Sequence, residues 1–405
     1  MSPPPHAAFA ALAGERLDWR FKGVPPGWQD ATTVEILAAA PVLFDAGLTG
    51  PVCVLREPAL AHNLAAMSTW CRDRGVQLAP HGKTHMSPQL FSRQSAAGAC
   101  AVTVATIAQA RVYRAFGVNA IVLANELVEP VGLAWLAGEL DADPALDAVC
   151  WVDSVRGVEL MTEALAGATR PLDVCVEVGM AGGRTGCRAA ADVDAVAAAA
   201  AASPRLRLVG VAGYEAVGTG AARDAGPEAV AQVRAQLSEM RAALTRLAPL
   251  FETDEVIVTA GGSTYPDVVA DELAGAAQRV ILRSGCYLTH DHGLYAATSP
   301  LPMRPAMQVW APVLSRPEPS LALVGMGRRD VSFDAGLPVA LSLPGAAVTK
   351  LNDQHAYLQL AGHTVAVGDR LGFGISHPCT TFDKWQLIPV LDDADRVVDL
   401  VRTFF

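Results

Sequence analysis

Lysine is almost missing from this chain of 405 residues: Lys22, Lys83, Lys350 and Lys384 are the only four. Charge of either sign is sparse, and acidic residues outnumber basic ones by 41 to 31, a formal net charge of -10. That balance argues against nucleic acid, whose phosphates are met by clustered Lys and Arg. There is no basic amphipathic stretch to lie on a membrane and no uncharged window of eighteen apolar residues to cross one. The start, "MSPPPHAAFAALAGERLDWR", has no positive region before its short apolar run and makes a poor secretion signal. The eight cysteines lie far apart with no CxxC pair, so reduced thiols in a cytoplasm are expected.

What the chain does have is apolar residues, 51% of the total, enough for one large domain and a smaller one. From about residue 75 to 285, short β-rich runs alternate with longer helical patterns. The runs are "VQLAP", "AVTVA", "AIVLAN", "AVCWVD", "DVCVEV", "LVGVAGY", "VIVTA" and "RVILRSG". Stretches such as "TIAQARVYRAFG", "SVRGVELMTEALAG" and "YPDVVADELAGAAQ" separate them, and "VAAAAAAS" reads as a surface or half-buried helix. Strand–helix alternation implies parallel pairing through right-handed crossovers. Eight units suit a closed (β/α)8 barrel; an open doubly wound sheet is the alternative. After about residue 300 the texture changes to dense Pro and Gly with short alternating runs, among them "MQVWAPVLS", "SLALVGMG", "AYLQLAG", "HTVAVGDRLGFGI" and "WQLIPVLD". This predicts a second, mainly antiparallel β domain. The expected division is residues 45–295 for the barrel, with 1–44 and 296–405 in the β domain.

Barrel enzymes carry their reacting groups at the C-terminal ends of the strands. "LAPHGKTHMSP" puts Lys83 after the first strand, between His81 and His85. A solvated turn would account for a lone lysine, and packing for the histidines. A lysine that forms a Schiff base needs a desolvated or electropositive setting, which a barrel mouth supplies. Arg184 in "EVGMAGGRTGC" follows the fifth strand, Tyr214 closes the sixth, "TAGGSTYPD" follows the seventh and "SGCYLTHDHG" the eighth. In "TAGGSTYPD", Gly261 and Gly262 allow close backbone approach. Ser263 and Thr264 can cap the next helix and Pro266 suits its first turn, so the loop is either an ordinary capped turn or a phosphate site. Near the C-terminus, "SHPCTTFDKW" places His377 and Cys379 two apart, on one face of an expected strand. Imidazole with thiolate suits zinc, and two ligands leave positions for water or substrate. His355 in "LNDQHAYL" is a further candidate beside a domain-interface reading.

Together, "PHGKTH", "GRTG", "GYE", "GGSTY", the "CY" after the eighth strand and the late "HPC" resemble the fold-type III pyridoxal-phosphate enzymes. The branch is that of D-serine dehydratases and D-threonine aldolases, with an alanine racemase-like barrel, and the resemblance spans most of the chain in order. It implies a β domain behind the barrel and a homodimer with sites near the subunit interface. By position it implies that Lys83 holds pyridoxal 5'-phosphate and that Arg184 lies against its ring. Tyr214, Thr259 and Tyr287 would contribute to the cofactor site, and Gly261, Gly262, Ser263 and Thr264 would bind the phosphate. His377 and Cys379 would ligate a divalent metal. Dehydratase-like members resemble His-x-Cys with zinc, aldolase-like members His-x-Asp with a harder ion, a split that ligand softness explains. Where relatives often read Glu-His, this chain has Gln354-His355.

The expected activity is therefore loss of water from a D-β-hydroxy amino acid such as D-serine, giving a keto acid and ammonia. Lys83 would remove the α-proton and the metal would activate the β-hydroxyl. Retro-aldol cleavage to glycine and an aldehyde is the alternative, and a non-catalytic carrier of the cofactor a third. Such carriers typically lack the second domain and the metal motif.

Overall fold

The computed structural model describes residues 5–215 and 226–405; residues 1–4 of the segment assigned to the second domain lie outside them. Eight parallel strands follow one another in sequence order: Gln77–Leu78, Val102–Val104, Ala120–Glu126, Asp147–Val152, Leu172–Val178, Leu206–Gly213, Ile257–Thr259 and Arg279–Leu282. Each overlaps one of the eight runs read from the sequence, four of them starting or ending one or two residues outside it. The first pairs with the eighth, while Cys100 N donates to Leu78 O and Thr103 N to Pro80 O. These bonds close the ring, so the open-sheet alternative falls.

Alternation of side chains along each strand fills both faces. Ala79, Val122, Val149, Trp151, Val209 and Ile281 belong to an inner cluster, and the intervening residues pack against the surrounding helices in the main core. Thr106 and Ser154 cap the helices Ile107–Ala115 and Val155–Ala164 through their side chains, which ends each strand sharply and opens the next crossover. The alanine run is helical over Ala190–Ala202, with one face buried.

The second domain is a nine-stranded, mainly antiparallel sheet built around the long strand Met307–Glu318. Val52–Arg56, grouped with the barrel from sequence, belongs here: it pairs antiparallel with Met307–Glu318 and parallel with Leu387–Leu391. The segment falls inside the 45–295 division, though none of the eight runs includes it, and it leads directly into the helix Glu57–Asp73. Leu17, Phe21, Trp28 and Ile36 from the N-terminal segment pack on the same sheet against Val54 and Leu400. The run "HTVAVGD" is not a strand; regular pairing resumes at Arg370–Gly374. Among the described residues no helix is long and apolar enough to cross a membrane.

Gly210 sits where the register between the fifth and sixth barrel strands shifts, and a Cβ there would collide with the carbonyl of Ile257. Backbone cannot yield as a side-chain tip does. Gly210→Ala is expected to destabilise the barrel by about 1–3 kcal/mol, read as a lowered midpoint in thermal or denaturant unfolding.

Candidate active site

Lys83 lies in a single 3-10 turn, Gly82–Thr84, directly after the first barrel strand. The turn is seated on Tyr113, whose hydroxyl donates to Gly82 O at 2.8 Å; a Cβ at residue 82 would strike that ring. Burial pushes the Lys83 amine below its ordinary range, with Cys379 opposing the shift and Arg184 adding to it. The two flanking histidines separate. His81 lines a cavity with Lys83; burial, reinforced by Lys83, holds it uncharged, and its Nδ1 is buried without a partner. His85 is turned into the core, where its Nδ1 accepts from Ser87 N at 3.0 Å and its Nε2 meets Gln94 Oε1 at 3.2 Å. Burial brings its pKa down to about 4, so His85 is a neutral brace under the turn.

The cavity, about 540 Å³, is within the usual range for small-molecule sites. Lys83, Arg184, Tyr214, Gly261, Gly262 and Ser263 line it, as do His377 and Cys379 from the second domain. The Arg184 guanidinium lies 4.7 Å from the centroid of the Tyr214 ring, and burial pushes the Tyr214 hydroxyl up to about 12. The glycine loop differs from expectation. Gly261 N donates to Glu215 Oε2 at 2.9 Å and Gly262 N to Glu215 Oε1 at 2.8 Å, so neither amide points at a ligand. Tyr265 occupies the cap position of the helix Pro266–Leu273 without a side-chain capping bond, rather than Ser263 or Thr264. Thr259 is a support: its hydroxyl donates to Ile281 O and accepts from Arg283. Arg283 also donates to Gly213 O at 2.6 Å and lines the cavity. It was hidden in sequence as the last polar residue of "RVILR".

Tyr287 does not face the cavity. It is buried below, its hydroxyl accepting from Gln94 Nε2 at 3.1 Å, because the 3-10 turn Cys286–Leu288 directs Cys286 to the cavity instead. Tyr295, eight residues on, lines the wall in its place, alongside Tyr214. His355 is exposed in the tight turn between Ala347–Leu351 and Ala356–Gln359, and its carbonyl accepts from Asn352 N. It is not among the residues that line the cavity.

His377 and Cys379 converge, though not on a strand. Pro378 has helical dihedrals and opens a one-turn helix, Cys379–Phe382. Cys286 completes the group: one donor atom from each of Cys286, His377 and Cys379 lies within 4.8 Å of the others. The His377 Nδ1 contacts Asp334 Oδ2 at 2.7 Å, which leaves Nε2 for a ligand. Bonding from Cys286 outweighs burial and, with His377, holds the Cys379 thiol well below the ordinary range; the Cys286 thiol is pushed up. A second cluster, Glu126, Asp153 and Glu177, sits at the ends of the third, fourth and fifth strands. Burial and Glu177 raise the Glu126 carboxyl to about 8. An equally large groove, about 550 Å³, lies along the helices Ala190–Ala202 and Pro227–Leu247, but its lining holds no lysine or histidine.

A family model for the alanine racemase N-terminal domain matches residues 55–267. The chain belongs to that family. A serine dehydratase domain model matches residues 306–391 of this alanine racemase-family chain. The D-threonine aldolase of Arthrobacter sp is 28% identical over 345 residues, which cover 85% of this chain and 89% of that protein. The 3-hydroxy-D-aspartate aldolase of Paracoccus denitrificans (strain Pd 1222) is 24% identical over 359 residues, covering 87% and 91%. Among solved structures, the D-threonine aldolase of Filomicrobium marinum superposes with a TM-score of 0.77 at 26% identity, covering 88% of this chain and 95% of that one. The D-threo-3-hydroxyaspartate dehydratase of Delftia sp. HT23, at 23% identity, TM-score 0.70 and coverage of 87% and 97%, shares the fold. The branch resemblance drawn from the sequence motifs therefore holds.

The residues present fit both groups that the family implies. For a phosphorylated aldehyde there is an amine with a lowered pKa, an orphaned His81 Nδ1, and a cavity wall from the loops after the seventh and eighth strands, the usual phosphate corner of such barrels. For a metal there are sulfur and imidazole donors, a set suited to zinc. The direction of the Lys83 shift can be tested on isotope-labelled methylated lysines by NMR. The resonance missing from Lys83→Arg is expected to titrate below the ordinary 10.5; titration at or above that value would show a solvated amine.

Proposed function

We propose that the protein is a pyridoxal-phosphate- and zinc-dependent lyase that converts a D-β-hydroxy amino acid such as D-serine into a keto acid and ammonia. The observation that carries this reading is the meeting of Lys83 with His377 and Cys379 at one cavity, from elements almost 300 residues apart. Lys83 would hold the cofactor; Arg184, Tyr214 and the loops bearing Ser263 and Gly285 would surround it. When bound, pyridoxal phosphate supplies the electron sink for the carbon acid, and zinc supplies Lewis acidity toward a β-hydroxyl.

Lys83 is the residue placed to move the α-proton. Its amine is depressed toward the neutral form, so it accepts a proton at a lower pH than a free lysine would. Arg184 and Arg283 put positive charge on the Lys83 side of the cavity, which favours a substrate carboxylate there and disfavours a further positive charge at Lys83. Asp334 fixes the tautomer of His377, and Thr380 fixes Asp334 by donating to its other oxygen at 2.6 Å. Hydrogen bonds of this kind behind a ligand keep it aimed and basic. Net, D-serine yields pyruvate and ammonia, the water lost at the β-carbon being regained on hydrolysis.

Retro-aldol cleavage is the second reading. It is favoured by the 28% identity to a D-threonine aldolase and by the neutral His81, whose buried unpartnered Nδ1 could take a hydroxyl proton. A product assay separates the two. With D-serine, D-threonine and D-3-hydroxyaspartate as substrates, keto acid and ammonia are expected; glycine and an aldehyde would establish the aldolase. Lys83→Ala is expected to lower turnover by at least about 100-fold, and a chelator should abolish it reversibly, with zinc restoring it. Full turnover in either case would overturn the mechanism.

A further inference from the structure

We propose that Cys286 is a third protein ligand of the metal, making a Cys2His zinc centre with one open position that ties the barrel to the second domain. The proposal rests on the metal-dependent reading above and adds to it a residue outside the His-x-Cys motif.

Cys286 and the pair His377/Cys379 come from different bodies. Cys286 begins the turn after the eighth barrel strand, Arg279–Leu282, whereas His377 and Cys379 follow Arg370–Gly374 of the second sheet. Their sulfurs are nonetheless 3.6 Å apart. A disulfide would need about 2.05 Å. Two thiolates on a tetrahedral zinc, each at about 2.3 Å, are separated by about 3.8 Å along the tetrahedral edge. The observed spacing matches that edge, and the mutual 4.8 Å limit on the three donors leaves room for one ion among them.

The surroundings aim the sulfur inward. A Cβ on Gly285 would lie 2.6 Å from Thr84 Oγ1 and 2.7 Å from His81 O, so the strand end presses against the lysine turn and Cys286 is the next side chain beyond it to line the cavity. The Thr84 hydroxyl lies behind both sulfurs, 3.9 Å from Cys286 Sγ and 3.6 Å from Cys379 Sγ. It accepts from Cys379 Sγ here, and with both sulfurs deprotonated its O–H could turn to one of them. Metal binding would release to solvent the Cys286 S–H proton and the proton held on the His377 ring, and two thiolates with a neutral imidazole balance a dication. Three protein ligands with a vacant fourth position is the pattern of catalytic zinc, Cys2His included. With a second sulfur the site discriminates more strongly against manganese and magnesium than the motif pair alone.

The test compares the full chain with Cys286→Ser, near-isosteric, and with Cys286→Ala, both under reductant. Zinc retention is read by elemental analysis against graded chelator, zinc–sulfur coordination by X-ray absorption, and the thiolate-to-cobalt band after cobalt substitution. The wild type is expected to hold one zinc with two sulfurs. Both variants should weaken retention by at least about 10–100-fold, the loss that even an outer partner causes, and should show one sulfur and about half the cobalt band. Metal-free melting curves check the fold: equal midpoints for variants and wild type, with the zinc-induced rise reduced only in the variants, support the cross-domain tie. Variants that keep wild-type retention and two sulfurs overturn the role of Cys286. A wild type that takes up neither zinc nor cobalt overturns the metal reading itself, a separate failure.

Discussion

The bond from Tyr113 to the carbonyl of Gly82 fixes where Lys83 leaves the backbone. Above it, the strand end at Gly285 presses on Thr84 and His81, and from the far terminus Phe404 N donates to Met86 O. Met86 itself is held at φ 43, a conformation that non-glycine residues seldom adopt without such support. The lysine is thus seated by the barrel beneath it and the second domain beside it. Without both, the amine would be solvated and its proton affinity ordinary.

Two electrical regimes meet at this end of the barrel. Lys83 and the sulfur–imidazole group sit at the first and eighth strands, where Arg184 and Arg283 act on the amine. Around the ring, at the third to fifth strands, Glu126, Asp153 and Glu177 crowd one another, and Glu177 Oε2 is buried without a partner. Like charges so close cannot all ionise, so the acidic side holds a proton at neutral pH, consistent with the raised Glu126.

Much of this was legible in the chain. The eight strands were, because β-branched runs and capped helices alternate at barrel spacing. The amine, the arginine over Tyr214 and the His-x-Cys pair were, because each sits at a strand end or in a short motif. Cys286, Glu126, Asp153, Glu177 and Arg283 were not, since each is a lone polar residue whose neighbours come from other strands. The helical turn at Cys379 was missed because Pro378 suits an extended run or a first helical turn equally well. Tyr287 and Tyr295 could be told apart only by the turn that rotates one inward and the other outward. Val52–Arg56 is not among the strands read from the sequence, and its partners in the second sheet lie far along the chain.

The carboxylate of Glu215, fully buried and bonded to two successive amides, has a further consequence. A glycine-rich loop free of internal partners is floppy, and a ligand must freeze it on arrival. Here the Glu215 side chain already holds both amides within the fold, so the loop's shape does not depend on a ligand. Affinity at this corner would then come from geometry prepared in advance rather than from closing a mobile loop, and the corner would keep its form whether full or empty.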